Sequence, residues 1–560
     1  MLRRKSSLVS RAFYNFLGAS ILTTVAAQLA VSTDAAIVSH LIGPHAMAAV
    51  NMAMPVLTTF LSLNSLLGVG ASLLAAKAIG SGDREGASRT FTAALFSVLV
   101  VGIVVSAVSY TCCEPIARMV CPDAAIRPMV LSYLRVTSLG VTVLVLSGMM
   151  NMMVQSDGRP RLVTAAVMAG AVANVVLDVL AIKCLGLGIA GSAWATVVNY
   201  GVTVCITCTH LRRPTCSYRL VRLGKEVWRA LAENLKQGLP LMIANVLLSA
   251  IVLLINTIVD SALGSDGVYM VAVCIQLLLI TFVVLNGVLD ATFAIGGTLL
   301  GEHDTVGLKM LCAKVMTFAC AVLVPLTAFV ALAPGVMATL FGARTPELHA
   351  ELCRVLRIFS GILLPFSLTV LLRGVYQVLG HLKLSVAVAV GQVASIVAVV
   401  YALTQVAPPR MLWWGFPASA CAMLAVQVCA TLHMSSGKRI SPFTLIPAPD
   451  PSQSYSATVA PHQAEEAMAE IGKFLHSVHC PESTVAQALE FAGQAISHAA
   501  PGIADICLYA HHGQVSVTVK HTAKPTATAK QAFGITIASA HLKGTEKTPH
   551  KHQINHEFLE

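Results

Sequence analysis

AIGSGDREG (residues 78–86) and LLGEHDTVG (residues 299–307) lay Gly80, Asp83 and Gly86 over Gly301, Asp304 and Gly307. The same spacing lays IVSHLIGPHAMAAV (37–50) over IVDSALGSDGVYMVAV (258–273), with Gly43 opposite Gly264. Further on, QSDGRPRL (155–162) faces QVLGHLKL (377–384), with Gly158 opposite Gly380 at a spacing one residue longer. The first three quarters of the chain is therefore a duplication. Each matched segment lies between apolar runs of about 20 residues or more, long enough to cross a ~30 Å hydrocarbon core as a helix. The runs show no period of two, which excludes a membrane barrel of alternating strands.

Composition agrees: 56% of residues are hydrophobic and 11% charged, against about 25% charged in soluble domains. The chain reads as an all-α polytopic membrane protein of twelve transmembrane helices in two pseudo-symmetric six-helix lobes, followed by a small cytoplasmic α+β domain. The helices fall near 14–41, 46–77, 88–111, 129–155, 162–183 and 188–211, then 237–263, 268–299, 307–333, 353–379, 383–405 and 411–435. The apolar part of MLRRKSSLVSRAFYNFLGASILTTVAAQLAV outruns the 7–15 residues usual in a signal peptide, so it reads as an uncleaved first helix.

The net charge of +11 is not a nucleic-acid footprint, because it is confined to particular loops. Arg3, Arg4 and Lys5, then Arg84 and Arg89, Arg159 and Arg161, the segment 212–236, and Lys438 and Arg439 carry it. Lys/Arg excess marks cytoplasmic loops, which puts both ends of the membrane region in the cytoplasm. Matched segments thus share their orientation, making parallel repeats with the substrate path between them. The 15 cysteines lie scattered, many of them inside apolar runs. Cys112, Cys113 and Cys121 leave room for a bridge, although free thiols in a core are the leading reading.

The domains divide as an N-lobe (1–211), a connector (212–236), a C-lobe (237–437), a Pro/Ser-rich linker (438–461) and the cytoplasmic domain (462–560). In the connector, LVRLGKEVWRALAENL puts Leu220, Leu223, Val227, Trp228 and Leu231 on one face, as in an amphipathic helix lying on the inner membrane surface.

An ionised carboxylate facing lipid costs at least ~2.5 kcal/mol, so intramembrane acids normally face a cavity. Asp34 and Asp178 fall in the same lobe at similar depth, in the outer half of the membrane. Asn174 is one helical turn before Asp178, and Ser32 and Thr33 adjoin Asp34. Two acids sharing a desolvated cavity compete for one proton or cation, which suits exchange against a cationic substrate. The candidate cation-coupling residues are therefore Asp34 and Asp178. The candidate cavity residues are Asn174, Thr33, Asn199, Asn256, Gln276 and Asp290. Asn199, Asn256 and Gln276, like Asn245 and Asn286, also read as interhelical hydrogen-bonding groups. Asp260 reads as a solvated residue at the outer mouth, and SGMMNMMV as packing.

The segments LGVGASLLAAKAIGSGDREGA, QSDGRPRLVTAAVMAGAVANVVLDVLAIKCLGLGIAGSAWATVV, VSTDAAIVSHLIGP and WWGFPASA together resemble the multidrug and toxic compound extrusion (MATE) family over about residues 10–435. The resemblance implies a secondary transporter rather than an enzyme. It implies H⁺ or Na⁺/drug antiport by alternating access, with no cofactor beyond the coupling ion. It also implies small, amphipathic, cationic substrates and a bacterial cell membrane. Asp34 and Asp178 match by position the acids that many members use for coupling. The tenth helix, VLRIFSGILLPFSLTVLLRGVY, has two arginines and no acid where some members place a C-lobe acid. A lipid-linked oligosaccharide flippase and a membrane sensor signalling through the C-terminal domain are the alternative readings.

In that domain Thr484 and Gln487 suggest a capping box opening the helix TVAQALEFAGQAISHAA. ADICLYAHHGQVSVTVKHT reads as a hairpin turning at Gly513, ITIASAHLKG as a helix and HQINHEFLE as a strand. The order resembles the histidine-kinase-type ATP-binding fold of anti-sigma-factor kinases, with Glu490 and Gln494 at the positions of its acid and Asn. Gln replaces that Asn, VKHTAKP lacks the Asp and Gly of the nucleotide turn, and Gly534 alone matches the later glycine motif. These departures weigh against an ATP site, and the domain's partner is left open. His550, His552 and His556 read as a solvated tail rather than metal ligands, so no metal site is expected.

Overall fold

The computed structural model describes residues 4–5, 7–121, 123–222, 224–341, 345–450, 452–511, 514–523, 530–532 and 535–543. The expected strand HQINHEFLE, the tail histidines, Leu223, Gly513 and Gly534 lie outside the described residues. Among the described residues, twelve helices are long and apolar enough to span a membrane. The first half contains α1 (Ser7–Leu41), α2 (His45–Gly80), α3 (Arg84–Thr111), α4 (Arg127–Ser156), α5 (Pro160–Cys184) and α6 (Gly188–Arg212). The second contains α7 (Lys225–Gly264), α8 (Asp266–Gly301), α9 (Thr305–Leu332), α10 (Pro346–Val378), α11 (Leu382–Val406) and α12 (Pro409–Ser435). The cysteines are free thiols, as expected.

The duplication is visible in backbone geometry. Asp83 and Asp304 cap α3 and α9 alike, each Oδ1 accepting the amide of the glycine three residues on at 2.7 Å. Gly158 and Gly380 turn the chain with φ of 84° and 81°. Gly43 and Gly264 also have positive φ, a region that L side chains rarely enter.

Glycine also lets the two halves meet at the end that bears the basic loops. A Cβ at Gly80 would fall 2.1 Å from the Thr298 carbonyl oxygen, and one at Gly301 would fall 2.0 Å from that of Lys77. These are the same two positions exchanged between repeats. A Cβ at Gly70 would lie 2.0 Å from the Asn234 oxygen, and one at Gly238 2.0 Å from that of Leu66. The ends of α2, α7 and α8 on that side are thus in backbone contact. Asn245 Nδ2 on α7 donates to Ser65 Oγ on α2 at 2.8 Å, the interhelical role expected of it. Ser65 opens a π-helical turn, Ser65–Val69, within α2, and a second such turn, Leu180–Cys184, follows Asp178.

The connector differs from its expected form. Pro214 interrupts the helical pattern, and the backbone of 217–221 bonds to side chains: the Ser217 amide to Asp157, the Arg219 amide to Ser88 and the Val221 amide to Thr92. From Lys225 onward the chain is already α7. Leu220 therefore precedes the helix, and Val227, Trp228 and Leu231 lie on the first turns of α7.

The C-terminal domain packs α13 (Ala464–Ser477) and α14 (Glu482–Ala499) on one face of a five-stranded antiparallel sheet of order β1-β2-β3-β5-β4. The strands are β1 (Ser454–Val459), β2 (Ala504–His511), β3 (Gln514–His521), β4 (Lys530–Ala532) and β5 (Ile535–Lys543). The hairpin is present as β2 and β3. Three details change. The sheet begins at Ser454, within the supposed linker. The helix begins at Glu482 after Pro481, so Thr484 lies inside it, buried, and no capping box forms. ITIASAHLKG is not a helix: its β-branched start pairs along the whole of β3, and tertiary pairing outweighs the helix propensity of its Ala and Leu residues.

Candidate functional site

Asp34 lies seven residues before the outer end of α1 and Asp178 six before that of α5, which is roughly 10 Å in each case at 1.5 Å per residue. Both turn into the first half rather than toward lipid: Asp34 is 7% exposed, Asp178 0% and Asn174 2%. Their carboxyl groups face each other within hydrogen-bonding reach, with Ser192 beside both. Ser192 Oγ, near the start of α6, donates to Asp34 Oδ1 at 2.7 Å. As carboxylates the two acids can only accept, so both Asp178 oxygens are without a donor, and Asn174 Nδ2 is also unpaired. One shared proton would bond the pair directly, and a bound cation would meet the same oxygens. Tyr133 on α4 and Tyr200 on α6 lie near enough to feel the charge of Asp34.

Ser192, Tyr133 and Tyr200 escaped the sequence reading. A serine near a helix start reads as local capping, and a tyrosine in an apolar helix reads as an interface anchor. Of the other candidates, Thr33 is half-buried beside Asp34. Asn199 packs on α5, its Oδ1 2.3 Å from where a Cβ at Gly170 would be, two turns inward of Asp178. Asn256, Gln276 and Asp290 sit on α7 and α8, in the other half. The Asn256 Oδ1 is buried without a partner, and Gln276 is exposed. Asp290 is half-buried one turn inward of Gly287, where a Cβ would lie 2.8 Å from Ile21 Cγ1 of α1. The structure thus assembles Asp34, Asp178 and Asn174, and does not bring the second-half candidates to them.

A second buried polar cluster, missed in the sequence, lies at the end that bears the basic loops. Asp157, His210 and Cys216 bring their ligand-type atoms within 4.8 Å of one another. His210 Nε2 bonds Asp157 Oδ2 at 2.6 Å and the Ser217 amide donates to the same oxygen at 3.2 Å, so the cluster ties α4, α6 and the connector together. In the C-terminal domain Glu490 and Gln494 are exposed on α14 and bond to each other at 3.3 Å.

Two matched halves closed glycine-to-backbone at one end, with a buried acid pair inside the first half, define a duplicated two-lobed polytopic membrane protein. A family described as MatE matches residues 19–180 and 240–403, more than half of the chain. The chain belongs to this family, whose members are membrane transporters rather than enzymes. Among characterised relatives, the multidrug export protein MepA of Staphylococcus haemolyticus is 21% identical over 230 residues, 40% of this chain. The match spans about half of that relative's length, 51%. Solved structures share the fold. A MOP superfamily transporter from Pyrococcus furiosus superposes with a TM-score of 0.69 at 22% identity, covering 76% of this chain and 97% of the other. A multidrug resistance MATE family transporter described as outward-facing gives the same figures. A MATE in complex with MaL6 gives a TM-score of 0.68 at 22% identity, over 74% and 94% of the two chains.

Proposed function

We propose that this protein exports small, amphipathic, cationic compounds across a bacterial cell membrane in exchange for H⁺ or Na⁺, with both chain ends in the cytoplasm. The observation that carries the reading is the Asp34–Asp178 pair, two facing acids inside the first lobe, of which Asp178 keeps both oxygens without a donor. With the inner side closed, the pair is reached from outside. A proton or Na⁺ taken up there removes the repulsion between the carboxyl groups and draws α1 and α5 together. That change near the central cleft releases the cationic cargo outward, and the lobes then rock to expose the site inward, where the ion leaves. Exchange of cation for cation explains why the site needs acids and no further cofactor. MepA's description as a multidrug export protein supports the choice of cargo class.

The test is dye movement in proteoliposomes under separately imposed pH and sodium gradients. Wild-type protein should move a cationic dye under one of them, and Asp178→Asn should not. Undiminished transport by a well-folded Asp178→Asn protein would sink the assignment.

A further inference from the structure

Period two sorts the sheet of the C-terminal domain into two faces. Val459, Ile506, Leu508, Val515, Val517 and Val519 point to α13 and α14 and form the domain's own core. The opposite face carries Ser456, Thr458, Asp505, Cys507, Thr518 and Lys520. A domain on a free tether would leave that polar face in water, yet Asp505 is 0% exposed and Lys520 3%.

The transport region covers it. Arg4, three residues before α1, places Nη2 at 2.9 Å from Asp304 Oδ2 and Nε at 3.2 Å from Asp505 Oδ2. Its Nη1 donates to Ser456 Oγ at 2.9 Å, and the Lys5 amide donates to Thr458 Oγ1 at 2.7 Å. Lys520 Nζ reaches Glu302 and, at 3.2 Å, the same oxygen of Asp304. The His303 ring stacks on Tyr509 with centroids 4.1 Å apart. At the other end of the sheet, a Cβ on Gly82 would lie 2.2 Å from His541 Nε2. One sheet thus touches the α2–α3 loop, the start of α1 and the α8–α9 loop. These are the inner ends of both halves, at repeat-equivalent positions.

The helix cap does not demand this. Asp83 caps α3 as Asp304 caps α9, but Asp83 is exposed, whereas Asp304 is buried under Arg4 and Lys520. Identical local motifs in different surroundings isolate what the domain adds: a buried network of two cations and three carboxylates joining the halves.

We infer that the C-terminal domain is a cytoplasmic lock, docked through its polar sheet face, which holds the inner ends of the two lobes closed and must release one lobe before the inner side opens. The inference rests on the alternating-access reading. Rocking moves the α2–α3 and α8–α9 loops apart, a rigid sheet cannot follow both, and parting Arg4 from Asp304 strands buried charges.

Hydrogen–deuterium exchange of the full-length protein in nanodiscs, followed by mass spectrometry, reads closure directly. Lys520→Ala and Arg4→Gln unbalance the network and leave both helix caps intact. In either variant, exchange at residues 70–84 and 294–305 should quicken on the order of tenfold, within the 5–150-fold range usual for coupled sites. Segment 133–145 of α4 serves as the internal control of folding and should not change. Should Lys520→Ala fail that control, Arg4→Gln decides. Quickened exchange confined to the domain strands, with α2 and α8 protected as in wild type, would overturn the lock and make the domain a passenger. Because exchange needs no transport, a wild-type protein inactive in proteoliposomes would refute the transport reading and leave this result to stand separately.

Discussion

Gly301→Ala tests whether glycine contact is what closes the inner side. The new Cβ would lie 2.0 Å from the Lys77 carbonyl oxygen, 2.9 Å from its carbon and 2.9 Å from the Ser81 nitrogen. Ordinary contact begins near 3.4 Å and the obstructing atoms are backbone, so α8 and α2 must separate by about 1.4 Å. No rotamer change relieves the clash. Overpacking of this kind costs about 1–3 kcal/mol, and the cost falls on the closed state, because rocking relieves it. At about 1.4 kcal/mol per factor of ten, the closed-to-open ratio should fall roughly 5–150-fold. Exchange at 70–84 and 294–305 should quicken accordingly. Gly80→Ala, its repeat counterpart at 2.1 Å from the Thr298 oxygen, should behave alike. Gly18→Ala and Gly201→Ala, where a Cβ meets nothing within 4 Å, should not. Wild-type protection of the inner ends in Gly301→Ala would refute closure by backbone contact.

Ser192→Ala removes the hydrogen bond to Asp34 but neither acid, so it should shift the ion dependence of dye transport in proteoliposomes without abolishing transport, unlike Asp178→Asn. Asp83→Ala should cost about 1 kcal/mol in thermal unfolding, as for a lost N-cap. Asp304→Ala should cost more, because Arg4 and Lys520 lose their shared acceptor as well. Docking of the C-terminal domain should depend on pH. Burial pushes Glu302 and Asp505 above the usual carboxylate range, partly offset by Lys520 and by Arg4 respectively. Burial would also raise Asp304, but Arg4, Lys520 and the Gly307 amide hold it well below that range. The docked state therefore binds protons at Glu302 and Asp505 more readily than the undocked state, and docking strengthens as pH falls from neutral toward about 5. Only in strong acid, as Asp304 protonates, is its contribution lost. Protease cleavage between α12 and β1 should thus slow as pH falls from neutral toward the ordinary carboxylate range of about 4; faster cleavage would contradict the network.

The helices were legible in the sequence because hydropathy is local and accumulates along the chain, and the repeat was legible because Gly43, Gly80 and Asp83 recur at one spacing and Gly158 at a spacing one residue longer. The acid pair was legible as two carboxylates at one depth. Its partners were not, since Ser192 and Tyr133 look like ordinary helix residues until the helices are side by side. The connector misled in part: the backbone of 217–221 is held outside any helix by the side chains of Asp157, Ser88 and Thr92, while the helical pattern from Lys225 onward is the start of α7. ITIASAHLKG misled because Ala and Leu suit a helix in isolation, whereas an adjacent β3 offers a full ladder.

By itself the sequence determined the membrane class, the number and order of the spanning helices, the duplicated halves and the one lobe that carries two intramembrane acids. Each of these follows from residue type and spacing within a helix length. Tertiary structure alone decided that Asp34 and Asp178 face each other, that the two halves meet backbone to backbone at Gly80 and Gly301, and that Asp304, unlike its counterpart Asp83, lies buried. Those facts depend on electrostatic and steric contacts among Arg4, Asp304, Asp505 and Lys520, or between Gly301 and Lys77. Residues so far apart in the chain meet only when the two halves and the C-terminal sheet come together at the inner surface.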